Sequence, residues 1–223
     1  MQIYLLKGKI LYALLLGSLF CAAQPKTAVP FSRNEVLVDG MVTDAEWKDA
    51  FVEQVTPTAQ LFIKQTPAYL YIAVRYTDTI VYYSDLFLEG RNDTVLNFHA
   101  SMQVALRKLL GREWNMQTPS FQWGRQEGWA ASQYRKDQQK EALKRKELIE
   151  RTGDRSSQVA IKEVMYPANG QEYQISKSLL PSGSLKFMVQ IRDMEWKRAQ
   201  PYVFPASAEL HNTGRWKWFN LKQ

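Results

Sequence analysis

An antiparallel β-sandwich of the jelly-roll or immunoglobulin-like kind, carrying one inserted charged α-helix, is the fold class this sequence predicts. Three observations lead there. Short runs of β-branched and aromatic residues recur along the chain with turn signals between them. One stretch, 133–151, lacks Gly and Pro and is rich in Lys, Glu, Gln, Leu and Ala, so it reads as the one long helix. No internal repeat and no Gly/Ser linker divides residues 24–223, which are read as one domain with its helical insertion at about 130–152.

The elements follow in order. Residues 35–38 read as a short strand closed by the turn pair Asp39-Gly40. Thr43 to Trp47 reads as a capped helical turn, with Thr43 as N-cap and Glu46 three residues on. Residues 60–64 and 69–76 are strands, the second rich in aromatic and β-branched residues. Residues 85–89 and 94–100 flank the polar turn 90–93 and predict a hairpin. The pattern over 101–110 does not decide between strand and helix, and 111–128 reads as loop. The helix over 133–151 gains favourable pairs from Glu141/Arg145 and Glu147/Arg151, but its apolar stripe is poor. Strands resume at 158–164, 172–175, 185–193 and 216–221, with turns at 167–170 and a corner at 178–181. In 185–193 the Leu, Phe, Val and Ile residues share one face.

The first residues read as a secretory signal. Lys7 and Lys9 precede an apolar run of 11 residues, Ile10 to Phe20, and Cys21-Ala22-Ala23 supplies a small-residue exit. That run is shorter than the roughly 20 residues a spanning helix needs, so cleavage after Ala23 is preferred to an uncleaved anchor. Lipidation at Cys21 is a minority alternative, because Phe20 stands where a small residue is wanted. Removing 23 of the 223 residues leaves 200, with no cysteine, which excludes a disulfide framework or a thiolate site. A chain that is 45% hydrophobic and 13% aromatic has enough apolar surface to fold without such staples. The net charge is +7, or +5 without the signal, and 135–151 alone contributes +3. An exported location argues against nucleic acid as partner, so the charged stretch reads as a solvated helix. No membrane span is expected once the signal is removed.

Several segments together resemble the family 9 carbohydrate-binding modules and the wider, DOMON-related group of sandwich domains. They are Val38-Asp39-Gly40 through Trp47, Tyr69-Leu70-Tyr71 through Asp78, the Asp85 to Phe98 hairpin, and then Phe187 to Asp193, Phe204-Pro205 and Trp216 to Leu221. The resemblance spans most of 36–221, and 114–151 departs from it by carrying the long helix. It implies an exported, non-catalytic domain, periplasmic, secreted or on the cell surface, whose partner is a polysaccharide or oligosaccharide.

Sugar binding needs flat aromatic faces beside hydrogen-bonding side chains. Of the seven Trp, Trp47 is read as core, and Trp216 and Trp218 as core or edge packing. Trp114, Trp123 and Trp129 lie in an aperiodic stretch with Gln122, Arg125 and Gln126, and Trp196 stands among Arg192, Glu195 and Arg198. Trp114, Trp123, Trp129, Trp196 and Arg125 are therefore the candidate ligand residues. The competing reading, that the loop tryptophans cover the sheet beneath the helix, is about equally supported.

No catalytic residues are assigned. The turn aspartates form no singled-out carboxylate pair, and no nucleophile elbow, phosphate loop or dinucleotide fingerprint occurs. No cofactor is expected, with calcium kept as a candidate on the turn oxygens of Asp39, Asp44 and Asp78. Two alternatives to glycan binding stand: an envelope protein-interaction module docking through 133–151, and, least supported, an enzyme, for which the resemblance to the related sandwich group implies haem held by a Met and a His, here Met188 or Met194 with His99.

Overall fold

The computed structural model of the chain describes residues 26–77, 82–91, 94–100, 104–110, 113–116, 128–132, 151, 169–193 and 200–221. The strands are β1 (Thr27–Ala28), β2 (Phe51–Thr56), β3 (Ala59–Gln65), β4 (Tyr69–Tyr76), β5 (Tyr82–Glu89), β6 (Val95–Ala100) and β7 (Val104–Leu110). They continue as β8 (Glu113–Met116), β9 (Trp129–Ala131), β10 (Gly170–Ser176), β11 (Ser184–Asp193), β12 (Tyr202–Phe204) and β13 (Lys217–Asn220). One short helix, α1 (Asp44–Trp47), precedes β2. They assemble into an eight-stranded sheet, ordered β1-β13-β11-β5-β6-β7-β8, and a five-stranded sheet, ordered β2-β3-β4-β10-β9. In the larger sheet β12 and β13 share one edge of β11 end to end, pairing with Val189–Ile191 and Ser184–Phe187 respectively. The expected all-β sandwich is therefore the architecture.

Alternation explains why two sheets become one core. Leu61, Ile63, Leu70, Ile72 and Val74 on β3 and β4 face Leu86, Leu88, Phe98, Phe187, Val189 and Ile191 on β5, β6 and β11, in one buried cluster. The one-face pattern expected over 185–193 is thus the inner face of β11. Each such side chain contributes about 1.5–3 kcal/mol of transfer free energy when fully buried. Polar pins cross the layer. The Tyr173 hydroxyl donates to the Ser84 carbonyl (3.0 Å) and lies 2.6 Å from its Oγ, and Gln171 Nε2 donates to the Ala100 carbonyl (3.0 Å). A one-residue slip of either strand would strand these groups without partners, so they fix register as well as proximity.

Several local readings are corrected. Residues 35–38 form no strand: Val36 is buried while Leu37 stands out into solvent and donates its N–H to Glu46 Oε1 (2.8 Å). The helical turn is α1, and Thr43 caps it by accepting from Glu46 N (3.3 Å), but Glu46 turns its carboxylate to Leu37 instead of completing a capping box. The undecided stretch 101–110 contains strand β7, and the expected loop 111–128 contains strand β8. The short strands β1, β2, β9 and β12 carry weak patterns and were not anticipated. The expected signal peptide 1–23, the strand over 158–164 and the helix over 133–151 lie outside the described residues, Arg151 excepted.

The smaller sheet has an apolar outer face as well, with Phe62, Tyr71 and Ala73, and the chain covers it itself. Residues 32–50 cross it as a strap and bury Val36, Val42 and Trp47 there. At the centre of this contact the wholly buried Glu172 carboxylate accepts three N–H groups: Trp47 Nε1 (3.0 Å), Gly40 N (2.8 Å) and Asp39 N (3.0 Å). Buried Lys64 ties down the other end of the strap, donating to the Glu46 carbonyl (2.7 Å) and to Asp49 Oδ1 (3.2 Å). Gly170 is required where the strap passes: a Cβ there would lie 2.5 Å from the Val74 carbonyl oxygen and 2.6 Å from Val42 Cγ2.

Burial pushes the Glu172 carboxyl up to about 7, against the three N–H donors that lower it, with Glu46 adding to the rise. Because its folded value lies above its ordinary one, the folded chain holds a proton that the unfolded chain releases. The stability from this group is full below about pH 4.5 and is lost as pH rises through about 7. Urea midpoints should therefore fall between pH 5 and pH 8. Below pH 6 the neutral acid and the Gln amide are near-isosteres, so Glu172→Gln should cost little there, flatten that dependence and leave the variant more stable than the parent at pH 8. A variant that keeps the parent's pH slope contradicts the assignment.

Candidate functional site

With the outer face of the smaller sheet covered, the outer face of the larger sheet is the other broad surface of the sandwich. Register lays it out in rows. One row runs Trp218–Lys186 on β13 and β11, then Glu89–Val95 on β5 and β6, then Leu109–Trp114 on β7 and β8. The Lys186 ammonium joins the two halves by an ion pair to Glu89 Oε1 (2.7 Å). The next row holds Met188, Phe87, Asn97 and Arg107, and beyond it stand Gln190, Asp85 and His99. The middle of this face is apolar: Phe87, Val95, Leu109 and Met188 pack with Trp216, beneath Ala208 and Leu210 of segment 205–216.

Beside that apolar strip lies a polar cluster built on Asp85. Its Oδ1 accepts from Asn97 Nδ2 (3.0 Å) and His99 Nδ1 (2.9 Å), and Arg107 Nη2 is 3.6 Å away. Arg107 Nε donates to Asn97 Oδ1 (2.7 Å), closing a ring of contacts across β5, β6 and β7. Its guanidinium also lies over the Trp114 indole, 5.2 Å from the ring centroid, and Trp114 in turn tilts against Phe87. Tyr83 meets His99 edge-on, with centroids 5.7 Å apart. Burial works to raise the Asp85 carboxyl. The hydrogen bond and charge of His99, the Asn97 amide and the Arg107 charge outweigh it, and hold the carboxyl below the usual carboxylate range. A buried carboxylate on the outer side of a sheet, where alternation normally puts solvated side chains, marks this cluster as a built feature.

The sequence-derived site residues divide. Trp114 lies in this cluster, half-buried on β8. Trp129 does not: it is 2% exposed, and packs edge-on against Phe98 in the core between the sheets (5.1 Å), so it cannot offer a face to a ligand. Its neighbours in sequence look loop-like, but β9 pairs with β10 and turns the indole inward. Trp123, Arg125 and Trp196 lie outside the described residues. Trp47 and Trp216 are core, as expected. Sequence reasoning missed Asp85, Asn97 and Arg107 as a group. The outward positions of the 85–98 hairpin were readable from alternation, whereas their junction with Arg107 needed β7 as a strand.

Asp39 Oδ1 is taken by Met41 N (2.8 Å) within its own turn, Asp44 pairs with Arg75 (2.5 Å), and Asp78 lies outside the described residues. Among the described residues no three His, Cys, Asp or Glu side chains gather as a metal site would require. For haem, Met188 is wholly buried in the apolar strip and His99 turns Nδ1 to Asp85. Met194 lies outside the described residues. Among the described residues no helix is long and apolar enough to cross a membrane.

No known family's sequence profile matches the chain, and no curated protein matches it in sequence. A search of solved structures finds a likeness to a family 9 carbohydrate-binding module from Caldicellulosiruptor kristjanssonii in complex with cellotriose. The TM-score is 0.43 and the identity 13%, over 89% of this chain and 94% of that one.

Asp85 has a depressed folded value, so its stabilisation is present above the ordinary carboxylate range and is lost as pH falls through the folded value. Asp85→Asn should therefore lower stability at pH 7 by about 1.5–3 kcal/mol, and the gap to the parent should close under acid conditions. Thermal unfolding across pH 2–7 checks both; a constant gap would contradict the ionised assignment.

Proposed function

We propose that this chain is an exported, non-catalytic glycan-binding domain, and that the glycan lies on the outer face of the larger sheet beside Asp85, Asn97, Arg107 and Trp114. The observation that carries the reading is the ring of polar side chains from three adjacent strands next to an indole. A pyranose presents C–H groups that pack on indole and hydroxyls that bond to guanidinium, so it needs both kinds of group on one rigid surface; the half-buried Trp114 and Arg107 supply them, and the buried Asp85 and Asn97 hold Arg107 in place. Strands hold such groups more tightly than loops do. Arg107 is preset by its bond to Asn97 and is about a third exposed, at 31% of its side chain, so it can reach a ligand without first losing its orientation. Trp123, Arg125 and Trp196 remain part of the proposal as further contacts, on their sequence setting. Export rests on the basic, apolar and small-residue pattern of the first 23 residues.

Affinity electrophoresis of the purified chain through gels containing cellulose-derived, xylan, mannan, uronate and host-type glycans tests the reading. Retardation by at least one glycan is expected. Arg107→Ala or Trp114→Ala should weaken it about tenfold or more, the equivalent of about 1.4 kcal/mol. Circular dichroism should confirm that each variant folds. Absence of retardation across the panel overturns the proposal, as does binding that neither substitution changes.

A further inference from the structure

We infer that the glycan is an acidic one, a polymer of uronic-acid or comparably anionic sugars, and that Trp218 with Lys26 and Lys186 forms its second contact on the same face; this rests on the reading above. The Trp218 indole is half-buried on β13, at the opposite end of the row from Trp114. Lys26 Nζ lies 4.9 Å and Lys186 Nζ 4.8 Å from its ring centroid. Glu89 neutralises one of these ammonium groups through its pair with Lys186, which leaves the station with an excess positive charge.

The charges are sorted between the two broad faces. On the outer face of the larger sheet and segment 205–216, the described cations are Lys26, Arg107, Lys186, Arg192 and Arg215. Asp85, Glu89 and Glu209 oppose them, a surplus of two cations. Among the described residues the strap and the smaller sheet's outer face carry five acids besides the largely neutral Glu172, namely Glu35, Asp39, Asp44, Glu46 and Asp49, against Arg33, Lys48, Lys64 and Arg75. The polymer would thus meet a positive surface on the candidate face and a negative one on the back, which orients an anionic chain and disfavours binding on the wrong side. Trp114 and Trp218 are five strand spacings apart, roughly 24 Å. An oligosaccharide reaching from one indole to the other therefore has to cross over segment 205–216, which covers the apolar strip between them.

Calorimetric titration of the full chain with an oligogalacturonate, the same oligomer with its carboxylates reduced to alcohols, and neutral cello- and manno-oligosaccharides decides the matter. The uronate should bind. Carboxyl reduction should weaken it at least tenfold, and a rise from 20 to 200 mM NaCl should weaken it about tenfold. Lys26→Ala, an exposed position just before β1, should weaken the uronate severalfold. Arg107→Lys keeps the charge but loses the fork and should weaken it too. Binding of neutral sugars alone overturns the acidic assignment while leaving glycan binding intact, and no binding of any sugar overturns both. Uronate binding that Lys26→Ala and Arg107→Lys leave unchanged marks a diffuse polycation effect and overturns the inference.

Discussion

Apolar side chains on the inner faces of the two sheets leave water only against each other, and every other feature of the chain is arranged around that contact. Leu70, Ile72 and Val74 need Leu86, Phe98 and Phe187 opposite them, and among the described residues neither sheet has another partner for that face. Because side-chain period along a strand is two, fixing the inner face fixes what stands outside. Tyr173 with Ser84, and Gln171 with Ala100, permit one alignment of the layers, since a shift would bury those polar atoms unpaired.

The two outer faces then have different fates. That of the smaller sheet carries Phe62 and Tyr71 and is closed by the chain's own strap, held at one end by Glu172 and at the other by Lys64. A buried carboxylate with three N–H donors and a buried ammonium with a carbonyl and a carboxylate make the closure directional as well as hydrophobic. The larger sheet's outer face divides into an apolar strip under segment 205–216 and a polar cluster centred on Asp85. That difference is what separates a structural face from a candidate binding face.

The class of fold was legible because it depends on local pattern. Residues 69–76 and 185–193 are read as strands from alternation and β-branched content, and the structure has them at Tyr69–Tyr76 and Ser184–Asp193. Trp47 was legible as core because Trp is strongly buried on average, and it is 1% exposed. Residues 35–38 misled, since an apolar run says only that something is buried, and here Val36 alone is buried, under no ladder partner. Trp129 misled for the converse reason: Gly and Gln around it suggest a loop, yet three residues of pairing with β10 suffice to turn the indole inward.

By itself the sequence determined the all-β class, the position of most strands, the burial of Trp47 and the positive charge, because these follow from period, propensity and composition. Only the tertiary structure decided that Glu172 closes over the Asp39-Gly40 turn, that Trp129 and Trp114 part company, and that Asp85, Asn97, His99 and Arg107 meet on one face. Those facts depend on strand order and register, which set which residues distant along the chain become neighbours, and no local pattern encodes that choice.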